Sequence, residues 1–95
     1  MYAVIFDVDT NCVANEHNEH SGTDAYGDIR KFMEVNGFNW QQGGVYFGES
    51  NITAVKCVVT VQKLAKIYPW FSACAKDIRM LRIEDNSDLR EAINF

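Results

Sequence analysis

Proline is nearly absent: Pro69 is the single one in 95 residues, and glycine occurs six times. A flexible linker or a low-complexity chain needs far more of both, so those classes are excluded. No apolar run approaches the ~20 residues that a membrane-spanning helix needs. The opening Met1-Tyr2-Ala3-Val4-Ile5-Phe6 has no basic stretch ahead of it and no cleavage site. No export signal is therefore expected, and the predicted location is cytoplasmic with no membrane partner. The three cysteines, Cys12, Cys57 and Cys74, form no C-x-x-C pair and no zinc spacing. Reduced thiols are the expectation for such a chain. No glycine-rich phosphate cradle is present, which disfavours a small regulatory domain for a nucleotide-like ligand.

What is present is enough apolar material for a core. Apolar residues make up 47% and aromatics 13%. The length predicts one domain over 1–95. A chain of this size buries only roughly 60–65% of its unfolded surface, a shortage that a second copy would relieve. The charge is acidic overall, at -4, but unevenly placed. Residues 1–50 carry two bases, Arg30 and Lys31, against eight acids. Residues 51–83 carry Lys56, Lys63, Lys66, Lys76, Arg79 and Arg82 against Asp77 alone. One third of an acidic chain can still present a positive field to phosphates.

The patterning predicts an order of elements. Residues 2–7 form a short apolar run ended by a carboxylate, read as a buried strand. Residues 8–22, with Asn15-Glu16-His17 repeated as Asn18-Glu19-His20, read as a loop. Ser21 and Asp24 have capping-box spacing, and Ala25, Ile29, Phe32 and Met33 fall on one face of a helix over 23–36. Asn36-Gly37 stops it. Strand-prone runs around Gly43-Gly44 predict a hairpin, with glycine there letting another backbone approach closely. Residues 51–68 read as a second helix capped by Asn51 and ended by Pro69, although Val58-Val59-Thr60-Val61 favours strand locally. A short helical turn over 70–75, a strand over 77–83 and a tail with a last turn capped by Ser87 follow. The order is that of an α+β, ferredoxin-like βαββαβ fold with a short C-terminal tail. Its helices cover one sheet face, and the other is expected to serve homodimerisation.

Several constellations could carry chemistry. Asp7-Val8-Asp9-Thr10 resembles the D-x-D-x-T opening of haloacid-dehalogenase phosphatases, but 95 residues cannot hold their larger core. His17-x-x-His20 with Glu16 and Glu19 has metal-binding residue types, in a loop with nothing to fix a geometry. Asn51-Ile52-Thr53 is a glycosylation sequon that has no meaning without secretion. Trp40, Gln41, Gln42, Tyr46 and Phe47 could stack unpaired bases or simply pack the sheet.

Three motifs in order carry a more specific signal. They are Met1-Tyr2-Ala3-x-x-Phe6-Asp7; Gly37-Phe38 with Gln42-Gly43-x-Val45-Tyr46; and Asp77-Ile78-Arg79-x-x-Arg82-Ile83-Glu84 with Ser87-Asp88. Together they resemble the virulence-associated protein D (VapD) family over the whole chain. That family is similar to the small endonuclease of the CRISPR adaptation machinery. The resemblance implies a ferredoxin-like homodimer that cleaves RNA as a toxin, sometimes beside an antitoxin protein. It implies Asp7 as the first catalytic residue. The Asp7 carboxylate would either help hold Mg²⁺ or act as general base toward a 2′-hydroxyl. Arg79 or Arg82 would pair with the scissile phosphate. These two lie on opposite strand faces, so one of them is expected to reach it. Gln42 and Tyr46 would form part of the cleft wall. The alternative is a non-catalytic dimeric scaffold that binds nucleic acid or an antitoxin.

Overall fold

A computed structural model describes residues 1–16 and 22–94. Strand β1 (Tyr2–Val8) leads into helices α1 (Thr10–Glu16) and α2 (Gly22–Val35). The hairpin β2 (Phe38–Gln42) and β3 (Val45–Gly48) follows, then α3 (Ala54–Ile67), α4 (Pro69–Cys74) and β4 (Ala75–Arg82). A 3₁₀ turn over Arg90–Ile93 ends the described chain. The sheet order is β2-β3-β1-β4 with every neighbouring pair antiparallel. This is the ferredoxin-like arrangement that the element order predicts.

Each element follows from local chemistry. Along β1, Val4, Phe6 and Val8 are buried on the helix side and belong to the main core. Ala3, Ile5 and Asp7 alternate to the open side. Helix α2 turns Ala25, Ile29 and Met33 inward, all fully buried. Gly37 ends it with φ +92, a conformation that glycine adopts without penalty. Helix α3 buries Cys57, Thr60 and Leu64 at spacings of three and four. That tertiary face overrides the strand preference of its valines. Its cap is Thr53, whose hydroxyl accepts from the Lys56 N–H at 3.1 Å, and not Asn51. Pro69 occupies the first turn of α4, where its missing N–H is harmless. At the core, Phe6 stacks on Tyr46 and meets Phe71 edge-on, with ring centroids 5.4 and 5.7 Å apart.

Three further expectations need correction. Residues 10–16 are helical, not loop. The Asp9 side chain caps them, accepting from the N–H groups of Asn11 and Cys12 at 3.0 and 3.1 Å. Cys12 and Cys74 form a disulfide with Cα atoms 5.4 Å apart, so free reduced thiols describe Cys57 alone. The fold brings α1 beside the end of α4, where the Asp9 N–H also donates to the Cys74 carbonyl at 2.9 Å. In the tail, the Arg90 N–H is held by Asp88 at 2.8 Å rather than capped by Ser87. Ser21, on which the Ser21–Asp24 capping box rests, and the His17–His20 cluster lie outside the described residues.

Gly44 accounts for the hairpin glycines. Its carbonyl accepts from the Phe6 N–H at 3.0 Å, and a Cβ there would overlap the Phe6 carbonyl oxygen. The hairpin end is thus locked over the C-terminal half of β1.

Candidate active site

Strand β1 is central in the sheet, and its last open-face residue is Asp7. Directly opposite in register, on β4, stands Asp77. Both carboxylates are exposed. Two like charges facing each other across a strand pair are destabilising. Arg79, two residues on and therefore on the same face, relieves half of this. Its Nε donates to both Asp77 oxygens, at 3.1 and 2.9 Å. Asp7 has no hydrogen bond or ion pair among the described residues. Among the described residues, the result is an unpaired carboxylate beside a paired carboxylate and guanidinium, at the end of a central strand. The main chain is irregular here, since the register shifts between Asp7 and Val8 before Asp9 opens α1. Asp9, the second acid of the D-x-D-x-T pattern, is taken up as a helix cap.

The other predicted site residues are divided by the sheet. Arg82 sits opposite Tyr2, at the far end of β1 and on the helix side, 3.4 Å from Glu84. Of the two arginines, Arg79 is therefore the one that shares a face with Asp7. Gln42 is exposed at the end of β2, opposite Val45, and Val45 in turn lies opposite Ile5. It belongs to the same end of the sheet as Asp7. Tyr46 faces the helices and is fully buried. Burial pushes its phenol up to about 12, against a smaller lowering by Arg30. Asp77 is the member that sequence reading did not select. Its signal is the alternation that puts it on the face of Arg79.

The donor set is oxygen-only. Among the described residues no group of three or more His, Cys, Asp or Glu gathers for a metal ion. Mg²⁺ asks for less: one or two carboxylates, with water and substrate phosphate completing the shell. The facing Asp7 and Asp77 fit that requirement.

Around this site the open face carries Ile5, Val45 and Phe47, each half-buried, and Leu81 at 45% exposure. On the helix side β4 is also poorly covered, with Ile78 at 41% and Met80 at 43%. Lys63 and Lys66 on α3 and Lys76 on β4 are exposed. No helix of the described residues is long and apolar enough to cross a membrane.

Comparison with known proteins identifies the family of the chain. The chain matches the family model described as CRISPR associated protein Cas2 over residues 1–91. It is 61% identical over 95 residues to a Helicobacter pylori (strain ATCC 700392 / 26695) protein named Endoribonuclease VapD homolog, covering 100% of this chain and 98% of that one. It is 54% identical over 94 residues to Endoribonuclease VapD 2 of Riemerella anatipestifer, covering 99% and 100%. With Endoribonuclease VapD of Dichelobacter nodosus the identity is 34% over 91 residues, covering 93% and 91%.

Proposed function

We propose that this chain, which belongs to the CRISPR associated protein Cas2 family and groups with its VapD relatives, is an endoribonuclease that cuts single-stranded RNA at Asp7. The observation that carries the reading is the exposed Asp7 carboxylate, unpaired among the described residues, facing the Asp77–Arg79 pair at the end of the central strand. The names of the full-length relatives support the same activity.

The residues divide the work. Asp7 takes a proton from an attacking hydroxyl in this reading, either a water or the 2′-hydroxyl next to the scissile phosphate. With the 2′-hydroxyl as nucleophile, its oxygen bonds to phosphorus, the bond from phosphorus to the 5′-oxygen breaks, and the 5′-oxygen takes a proton from water. The products are a 2′,3′-cyclic phosphate and a 5′-hydroxyl. Arg79 keeps two terminal amino groups beyond the Nε that Asp77 uses, and these answer the charge growing on the phosphate. Asp77 aims that guanidinium. A Mg²⁺ ion held by Asp7 and Asp77 would supply charge neutralisation and an activated water. The exposed lysines of α3 and β4 attract the RNA backbone in a salt-dependent way.

The apolar open face supports a homodimer in which two Asp7 side chains share one cleft. The role in the cell is that of a cytoplasmic toxin, held in check where an antitoxin accompanies it. A gel assay with a defined single-stranded RNA tests the reading, comparing wild type with Asp7→Ala in Mg²⁺ and in EDTA. Cleavage by wild type alone is expected, and the EDTA lanes separate the two nucleophiles. Equal cleavage by both proteins would reject Asp7. Intact RNA with both would shift the reading to a binding scaffold. A monomeric mass by light scattering at micromolar concentration would reject the dimer.

A further inference from the structure

On the helix side of the same sheet end, between α2 and the β2–β3 hairpin, lies a cleft of about 270 Å³. It is lined by Tyr26, Gly27, Arg30, Trp40, Gly43 and Tyr46. That volume sits just below the usual range for ligand pockets and suits a small planar group. Trp40 is 40% exposed yet held in place. Its indole N–H donates to the Gly43 carbonyl at 2.9 Å, and the Arg30 guanidinium lies 4.3 Å from its ring centroid. Arg30 is one of two bases in the first fifty residues. Its bond to Glu34, at 2.9 Å, uses Nε, so the terminal amino groups remain as donors.

Gly27 is the independent observation. It lies inside α2, where glycine is destabilising relative to alanine. Its φ is not in the left-handed region, and a Cβ there would meet nothing within 4 Å. The fold itself therefore does not require glycine at this position. Gly27 is exposed and lines the cleft, and its missing side chain leaves the cleft mouth open. The cleft also touches the candidate active strand, since the Tyr26 hydroxyl donates to the Val8 carbonyl at 3.4 Å, one residue past Asp7.

We propose that this cleft is a subsite for one nucleobase and its phosphate, with the base stacking on the platform that the Arg30 guanidinium makes over the Trp40 indole and the phosphate answered by the terminal amino groups of Arg30. Aromatic stacking of this kind accepts any base, because every base has a π-face. A strand rounding the end of the sheet would then have one nucleotide anchored here and a neighbouring phosphate near Asp7. The choice of ligand rests on the RNA-cleaving reading.

Binding is measured with Asp7→Asn protein, by anisotropy of an end-labelled RNA pentamer and by competition with adenosine monophosphate. Gly27→Leu obstructs the cleft mouth with a better helix former, so the melting temperature is expected to hold or rise while RNA affinity falls on the order of 10- to 100-fold. Trp40→Ala is expected to fall similarly, and Trp40→Phe to keep most of the affinity. Competition by the mononucleotide would support a subsite that also takes free nucleotides. Lack of competition, with the variant losses present, would support one read only within a chain. Unchanged affinity in Gly27→Leu and Trp40→Ala overturns the subsite, even if Asp7→Ala still abolishes cleavage. Conversely, variant-sensitive binding by a protein that cuts nothing would reject the nuclease and leave the subsite standing.

Discussion

Breaking the Cys12–Cys74 bond perturbs the fold in a way that can be sized in advance. The two cysteines are 62 residues apart, and the closed loop contains α2, both hairpin strands, α3 and most of α4. In the chain-entropy account, a loop of that length restricts the unfolded ensemble by about 4 kcal/mol. Domains of this size have a total stability of roughly 5–15 kcal/mol, so the bond is a large share of it. Each kcal/mol corresponds to about 4–8 °C in melting temperature for domains of 60–100 residues. Protein purified without reductant is therefore expected to lose on the order of 15–30 °C when reduced. The Cys12→Ser, Cys74→Ser double variant should melt near the reduced protein and ignore reductant. Thiol titration in denaturant supplies the count: one thiol, Cys57, before reduction and three after. Three thiols without reductant, or melting temperatures that coincide within about 3 °C, would refute the reasoning.

Three more outcomes follow from single contacts. Tyr46 is held neutral by burial, with its phenol raised from 10.0 to about 12. Stability from this group is complete below pH 10 and is lost as pH rises toward 12, by about 2–3 kcal/mol. Denaturant titrations of wild type and Tyr46→Phe should diverge only above pH 10, with the variant less sensitive; parallel curves would contradict this. The Thr60 hydroxyl is fully buried and has no hydrogen-bond partner among the described residues. Thr60→Val should stabilise by about 1 kcal/mol in the same titrations, because it removes an unsatisfied polar atom without changing shape. A destabilised variant would reveal a partner. Gly44→Ala should cost about 2 kcal/mol or more, since its Cβ collides with the Phe6 backbone and breaks the bond that locks the hairpin onto β1. A neutral effect would mean that the hairpin can move aside.

The sheet was legible because its strands alternate and its hairpin carries glycine at the turn. Helix α3 was legible from its length and from the proline that follows it, even though Val58-Val59-Thr60-Val61 argued the other way, but the face it buries, Cys57, Thr60 and Leu64, was not. Helix α1 was not, since it spans barely two turns and its signal is Asp9 acting as a cap. That same carboxylate reads equally well as half of a phosphatase motif. The disulfide left no trace, because only the docking of α1 on α4 brings Cys12 to Cys74. At the site, alternation separates Arg79 from Arg82, and the pairing of β4 with β1 then assigns Arg79 to the face of Asp7. Asp77 escaped because pairing register is a property of two strands, and neither strand's pattern contains it. Tyr46 was grouped with Gln42 by proximity in sequence, whereas the pleat of β3 sends its ring into the core against Phe6.

The most direct measurement is the single-turnover cleavage rate of a defined single-stranded RNA by wild type and by Asp7→Asn, with matched melting curves. The Asn variant keeps the shape of the strand end and removes the proton acceptor. A general base in this position accounts for about 10²- to 10⁴-fold of rate. The account predicts a loss in that range with an unchanged melting temperature and unchanged RNA affinity. A rate within a few fold of wild type would contradict it and remove Asp7 from the chemistry.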